Sequence, residues 1–278
     1  MRPMPRASRF GAVLVVLLVL LSAMPACADT KEIAKQEFTP TTAGRLTVAT
    51  SLPAPGFWEG ATVDQLSGGF EYGIAQALAA RFGLTLHVIN VPFEQLVNGD
   101  LGGADLALAQ ITSTDERAKL LAFSMPYYED DAGAVVRAGK KITDLKTAKE
   151  RRWAVQRGTI QEGLLVDRVR PDEPPLLFDD APAAVEAVAS GNADAALVDL
   201  STALILTHGR PDVATGARFI VDRGFAIALP KRSDNVEVID AAVHALISDG
   251  TLGDLSKRFL NPVFSAKPGS IPVVRIEP

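Results

Sequence analysis

Apolar residues recur along the chain in two alternating rhythms. Leu46-Thr47-Val48-Ala49-Thr50 is a short β-prone run closed by a loop carrying Pro53, Pro55 and Gly56. From Glu71 to Phe82 the spacing changes to that of a helix, with Ile74, Ala77, Leu78 and Phe82 on one face and Gly83 placed to end it. Leu84–Val91 reads as a second strand, Pro92–Gly99 as a short helix and Asp105–Ile111 as a third, almost wholly apolar strand, the pattern of a parallel sheet covered on both faces. The same β–α alternation restarts after residue 140. Trp153–Val155, Leu176–Phe178 and Ala195–Val198 read as strands, and Thr159–Val169, Ala181–Ser190 and Ser201–His208 as helices. Asp180 is placed as an N-cap and Pro182 sits in the first turn that follows it. A last helix carries Val236, Ile239, Val243, Leu246 and Ile247 on one face and stops at Gly250. Two βαβ blocks separated by Arg137–Lys141 predict an α/β protein of two lobes.

The first segment follows neither rhythm. Arg2, Arg6 and Arg9 precede an unbroken apolar run from Gly11 to Leu21, and Ala26-Cys27-Ala28 supplies small residues suited to cleavage, so residues 1–28 read as a secretory signal. Cleavage after Ala28 would discard Cys27, whereas cleavage before it would expose the thiol for lipidation; both routes stay open. Residues 29–43 are polar and Thr-rich, and read as a tether.

Composition removes whole classes of function. The 278 residues are 47% hydrophobic and 22% charged, a globular balance. A net charge of −5 argues against a nucleic-acid binder. One cysteine excludes a disulfide framework or a multi-cysteine zinc site, and three scattered histidines offer no histidine-rich metal centre. No HExxH, GxSxG or CxxC occurs, and Gly133–Lys141 reads as a linker rather than a phosphate loop. Glu129-Asp130-Asp131 reads as a solvated turn. Neither a cofactor nor a metal is expected.

Several segments, in order, resemble one family. Gly69-Phe70-Glu71-Tyr72-Gly73-Ile74-Ala75 is similar to the signature of bacterial extracellular solute-binding proteins, family 3, the polar amino-acid type that feeds ABC importers, with Gly73 in place of a second acid. Asp105–Tyr128 resembles the family's strand, Ser/Thr-rich turn, E-R pair and F-S-x-P-Y-Y segment. Gly158-Thr159-Ile160 resembles its Gly-Thr-Thr turn, Gly191–Ala195 with Asp199 its G-x-x-D-A…D element, and Gly250-Thr251 its closing helix end. The resemblance spans about residues 45–262.

It implies a two-lobed periplasmic-binding-protein-like (type II) fold with two crossover hinge strands near Ala134–Val136 and Phe225–Ala228. Lobe 1 would comprise 44–133 and 229–265, lobe 2 would comprise 137–224, and 266–278 would be a tail. The implied function is an extracytoplasmic receptor, soluble or anchored through Cys27, that closes on an amino acid or similar zwitterion and delivers it to a membrane permease. The expected assembly is a monomer, with no nucleic-acid partner. Residue chemistry supports this independently: a guanidinium is a bidentate clamp for a carboxylate, and an acid at the carboxyl end of an apolar strand sits where open α/β sheets place ligands. Arg117 and Asp199 are placed for those roles; their other readings are a surface pair of Arg117 with Glu116 or Asp115, and Asp199 as the N-cap of the helix beginning near Ser201. Thr112, Gln110, Thr159 and Ile160 carry over from the family's motifs, the last two mainly through backbone groups. Phe57 and Trp58 are the candidates for an aromatic wall, packing within the lobe being their other reading. Two alternatives come with the scaffold: an enzyme resembling cyclohexadienyl dehydratases, with Glu162 or Glu186 as general acid, or a ligand-sensing module, against which the short segment after Pro262 argues.

Overall fold

Eight strands and eight α-helices account for most of the computed structural model, which describes residues 37–276. The strands are β1 (Arg45–Thr50), β2 (Thr85–Asn90), β3 (Leu106–Ala107), β4 (Leu121–Arg137), β5 (Trp153–Gln156), β6 (Leu176–Phe178), β7 (Ala195–Asp199) and β8 (Val213–Pro230). They join in the order β2-β1-β3-β8-β4-β7-β5-β6. β1 pairs in parallel with β2 and β3, and β5 in parallel with β6 and β7, so each end of the order is a βαβ block. β4 and β8, of 17 and 18 residues, pair antiparallel with each other and run through both blocks.

Each block has its own core. In the first lobe, α1 (Phe70–Phe82) and α7 (Val236–Ser248) bury Ile74, Leu78, Ile239 and Val243 against Leu46, Val48, Leu106 and Ile227. On the other face of that sheet, α2 (Phe93–Val97) sets Phe93 and Leu96 against Ala49, Ala107 and Ile111. In the second lobe, Trp153, Val155, Leu197 and Phe219 pack on one face. Ala154, Ala196 and Val198 meet Val185 and Val188 of α5 (Ala181–Ala189) on the other. Asp180 caps α5 by accepting the Ala183 N–H at 2.7 Å, as its position predicts.

Four expectations shift. The segment 137–141 begins as the end of a long strand, because the antiparallel β4–β8 pair continues through Arg137. Ala134, Val135 and Val136 lie inside the second lobe's cores, whereas Phe225 and Ile227 lie inside the first lobe's, so the strands cross between Tyr128 and Ala132 and between Phe219 and Phe225. The acidic run at 129–131 is therefore part of the crossing and not a solvated turn: Asp130 accepts the Ser201 N–H and hydroxyl at 3.1 and 2.5 Å, and Asp131 pairs with Arg218 at 2.6 Å. The third strand is only two residues long, and three residues beyond it the chain enters the left-handed region at Gln110, with φ 54°.

The two ends of the described chain also pack rather than trail. Phe38 stacks on Phe82 at 4.8 Å, and Thr39 exchanges hydrogen bonds with the Asn235 side chain, so 37–43 belongs to the first lobe; the rest of the expected tether and the 1–28 signal lie outside the described residues. Residues 266–276, expected as a tail, run to the second lobe. There Arg218 donates its N–H to Pro272 O and accepts from Val274 N, each at 2.8 Å, and Val274 is buried.

Candidate functional site

Arg117 lies at the start of a single 3-10 turn, Arg117–Lys119, just after the loop that leaves β3. The Thr114 hydroxyl accepts its backbone N–H at 3.2 Å. Its guanidinium is almost fully buried, donating to Thr112 O at 2.7 Å and across to Gly158 O, in the second lobe, at 3.0 Å. The cation also sits over the Phe93 ring, 5.5 Å from its centroid. Burial lowers its pKa to about 10, partly offset by the charge of Asp199, so it remains a cation at neutral pH. A guanidinium carries five N–H donors, and these two carbonyls leave others for a carboxylate.

Asp199 ends β7 and opens α6 (Leu200–Leu206), yet its carboxylate does not cap that helix. Asp130 satisfies the Ser201 N–H instead, which leaves Asp199 to face the cleft. Gln161, the second residue of the short helix α4 (Ile160–Gly163), donates its amide to Asp199 at 2.6 Å. Burial raises the Asp199 pKa to about 7, against the Gln161 bond and the Arg117 charge. Asp130 also rises well above the carboxylate range, through burial and then the neighbouring Asp199 charge. Among the described residues no direct ion pair joins Arg117 to Asp199; the two charges share the cavity and favour each other across it.

The cavity between them is lined from the first lobe by Ser51, Pro53, Ala54, Pro55, Phe93, Ala109, Gln110, Thr112 and Arg117. The second lobe contributes Gln156, Thr159, Ile160, Gln161, Asp180, Ala181, Pro182, Asp199 and Thr202. Six residues expected from the sequence, Arg117, Asp199, Thr112, Gln110, Thr159 and Ile160, thus converge on one space. Thr159 stands at the N-cap of α4, accepting the Glu162 N–H at 3.3 Å, and its own hydroxyl donates to Gln156 O.

Phe57 and Trp58 do not reach that space. Both are fully buried in the first lobe, Phe57 against Phe70, Tyr128 and Phe225. Their loop is drawn onto the start of α1, where Phe57 O accepts the Glu71 and Tyr72 N–H groups at 3.0 and 3.2 Å. Gly69 permits this approach: at φ 119° a Cβ there would lie 2.2 Å from Phe57 O. The Trp58 indole donates to Glu71 and to Leu108 O, at 2.7 and 3.2 Å. The aromatic ring in the wall is Phe93 of α2, which also packs in the first lobe's core. Gln161, Gln156 and Thr202 were not singled out either; Gln161 adjoins the Gly-Thr-Ile turn, and no spacing signal marks the others.

A two-lobed type II binding fold with a cation and an acid held apart in the interlobe cavity defines a ligand-capturing class. The chain belongs to the bacterial extracellular solute-binding proteins, family 3, whose sequence profile matches residues 46–262. The L-cystine-binding protein TcyJ of Escherichia coli (strain K12) is 31% identical over 198 residues, 69% of this chain and 73% of that protein. The arginine-binding extracellular protein ArtP of Bacillus subtilis (strain 168) is 27% identical over 203 residues, 69% of this chain and 77% of that protein. An amino acid ABC transporter substrate-binding protein of Streptococcus pneumoniae Canada MDR_19A, solved with L-arginine bound, superposes with a TM-score of 0.71 at 30% identity, over 78% of this chain and 94% of that one. Among the described residues, no helix is long and apolar enough to cross a membrane.

Proposed function

We propose that the protein captures an amino acid between its lobes outside the cytoplasm and hands it to the permease of an ABC importer. Arg117, with Thr112 beside it, takes the α-carboxylate; Asp199 takes the α-ammonium; Phe93, Gln110, Thr159 and Ile160 form the walls. The first lobe spans about 37–128 and 225–263, the second 132–219 with 266–276, and the two strand crossings are the hinge. The observation that carries this reading is the unpaired juxtaposition of Arg117 and Asp199 on opposite lobes of one cavity. Ligand bonded to both is fully held only when the lobes meet, so binding energy drives closure.

The energies are sufficient. Hydrogen bonds to charged groups contribute about 1.5–3 kcal/mol each, and micromolar affinity requires about 8 kcal/mol. Four such bonds at the upper end of that range, with one buried apolar contact, reach it after an association cost of about 4 kcal/mol. A binding role is favoured over catalysis because neither Glu162 nor Glu186 lines the cavity: Glu162 accepts the Gly158 N–H, and Glu186 pairs with Arg210 at the surface. Calorimetric titration with the proteinogenic L-amino acids and L-cystine tests the reading. At least one should bind at micromolar or lower Kd. A folded protein that binds none of them, or one that turns over prephenate or arogenate, overturns it. Labelled fatty-acid incorporation, and its loss on Cys27→Ser, distinguishes a lipid-anchored form from a freed one.

A further inference from the structure

Besides Arg170, Gln110 is the one non-glycine residue with positive φ among the described residues, and it sits on the cavity wall. Such conformations persist where surrounding bonds over-determine them. Here the bond is explicit: the Gln110 N–H donates to Glu71 at 2.7 Å. Glu71 is completely buried and is itself held by two rigid aromatic donors, the Trp58 indole and the Tyr127 hydroxyl. With the backbone turned this way, the Gln110 side chain crosses the cleft, and its Oε1 accepts the hydroxyl of Thr202 on α6 at 3.1 Å. Thr202 is buried and belongs to the opposite lobe. The bond joins the two lobes directly, side chain to side chain.

We propose that Gln110 and Thr202 form a latch that favours lobe closure before ligand arrives, and that Glu71 is a positioning residue which fixes the left-handed backbone that aims the latch. This rests on the two-lobe reading above but not on the identity of the ligand. A ligand meeting a receptor that is partly closed has less closure to drive, so apparent affinity scales with the closed fraction.

The test is small-angle X-ray scattering on the ligand-free protein, with calorimetry on the tightest binder from the amino-acid panel. Thr202→Val removes the hydroxyl, and Gln110→Gly removes the amide while keeping a residue at ease with positive φ. Each should raise the radius of gyration and weaken binding about fivefold. The double variant should match either single one, and Thr202→Ser should behave as the parent. Glu71→Gln should open the ligand-free protein in the parent background and add nothing in the Gln110→Gly background, a dependence that general destabilisation of the lobe would not show. An unchanged radius of gyration in Thr202→Val and Gln110→Gly, or additive effects in the double variant, would overturn the proposal. Scattering is read without ligand, so opening in these variants together with failure of every amino acid to bind would leave the latch standing and remove the ligand reading alone.

Discussion

The two halves of the site solve opposite electrostatic problems. On the first lobe, the buried cation is satisfied in advance: Arg117 lies against a ring and donates to two carbonyls, one of them from the other lobe. On the second, the acid's side-chain donor is the Gln161 amide, and its near neighbour Asp130 is another half-buried carboxyl, held by Ser201. The positive half is thus preorganised, and the negative half holds unfavourable charge that an ammonium would relieve. Preorganised contacts lose most when removed, whereas a strained acid makes binding depend on pH.

The largest expected effect is therefore at Arg117. Arg117→Ala should weaken amino-acid binding by about 30-fold or more, since truncating one partner of a buried charged contact costs about 2–5 kcal/mol. Arg117→Lys should recover little, because a point charge does not reproduce the fork. Calorimetry reads both, and circular dichroism checks that the fold survives.

Asp199→Asn comes next, with a loss of roughly tenfold to a hundredfold. It also carries the pH signature. Because the free acid titrates at about 7, ligand ammonium must displace a proton below that pH. Affinity should rise by up to about tenfold per unit as pH increases towards 7 and then level off. Asp199→Asn should flatten that profile; an equally steep one in the variant would assign the proton elsewhere.

Phe57 and Phe93 sharpen the comparison of core with wall. Phe57→Ala should cost about 3–5 kcal/mol of stability in denaturant melts, as expected for a fully buried ring. Phe93→Ala, at a ring that both packs on Ala49, Ala107 and Ile111 and lines the cavity, should cost stability and also weaken ligand binding by about tenfold through the lost cation–π support, whereas Phe57→Ala should leave affinity near that of the parent.

The smallest expected effect is the pH dependence of the ligand-free fold. Glu71 is raised from 4.5 to about 7 by burial, against three hydrogen bonds that pull it down, and Asp199 is raised from 3.8 to about 7. A raised carboxyl binds its proton more tightly in the native state than in the unfolded chain, so stability falls as pH rises through the window between the two pKa values. Its contribution is fully present below the unfolded pKa and is lost as pH rises through about 7. The thermal midpoint of the free protein should thus be several degrees higher at pH 5 than at pH 8. Glu71→Gln should reduce that difference.

How much of this was legible follows from how local each signal is. α1, α5 and β7 announce themselves through periodicity and caps, and Asp180 does at its helix what its position requires. Arg117 and Asp199 stand out in the sequence because motif and chemistry agree on them. β4 was misread because it leaves one core and enters another, so no single period runs through Glu129–Asp131. The capping of α6 by Asp130, 71 positions away, has no local trace, and without it Asp199 would be an ordinary cap. Phe57 and Trp58 were misplaced for a similar reason: Gly69 draws their loop inward through a backbone approach that no side-chain pattern reports.

The central claim is that one charge grips each end of an α-amino acid. It is tested most directly by titrating the protein with its tightest amino acid, the matching amine that lacks the carboxylate, and the matching acid that lacks the ammonium. Both analogues should bind at least about tenfold more weakly. Against Arg117→Ala the amine should bind no worse than it does to the parent, and against Asp199→Asn the same should hold for the acid. An amine that binds the parent as tightly as the amino acid would contradict the account.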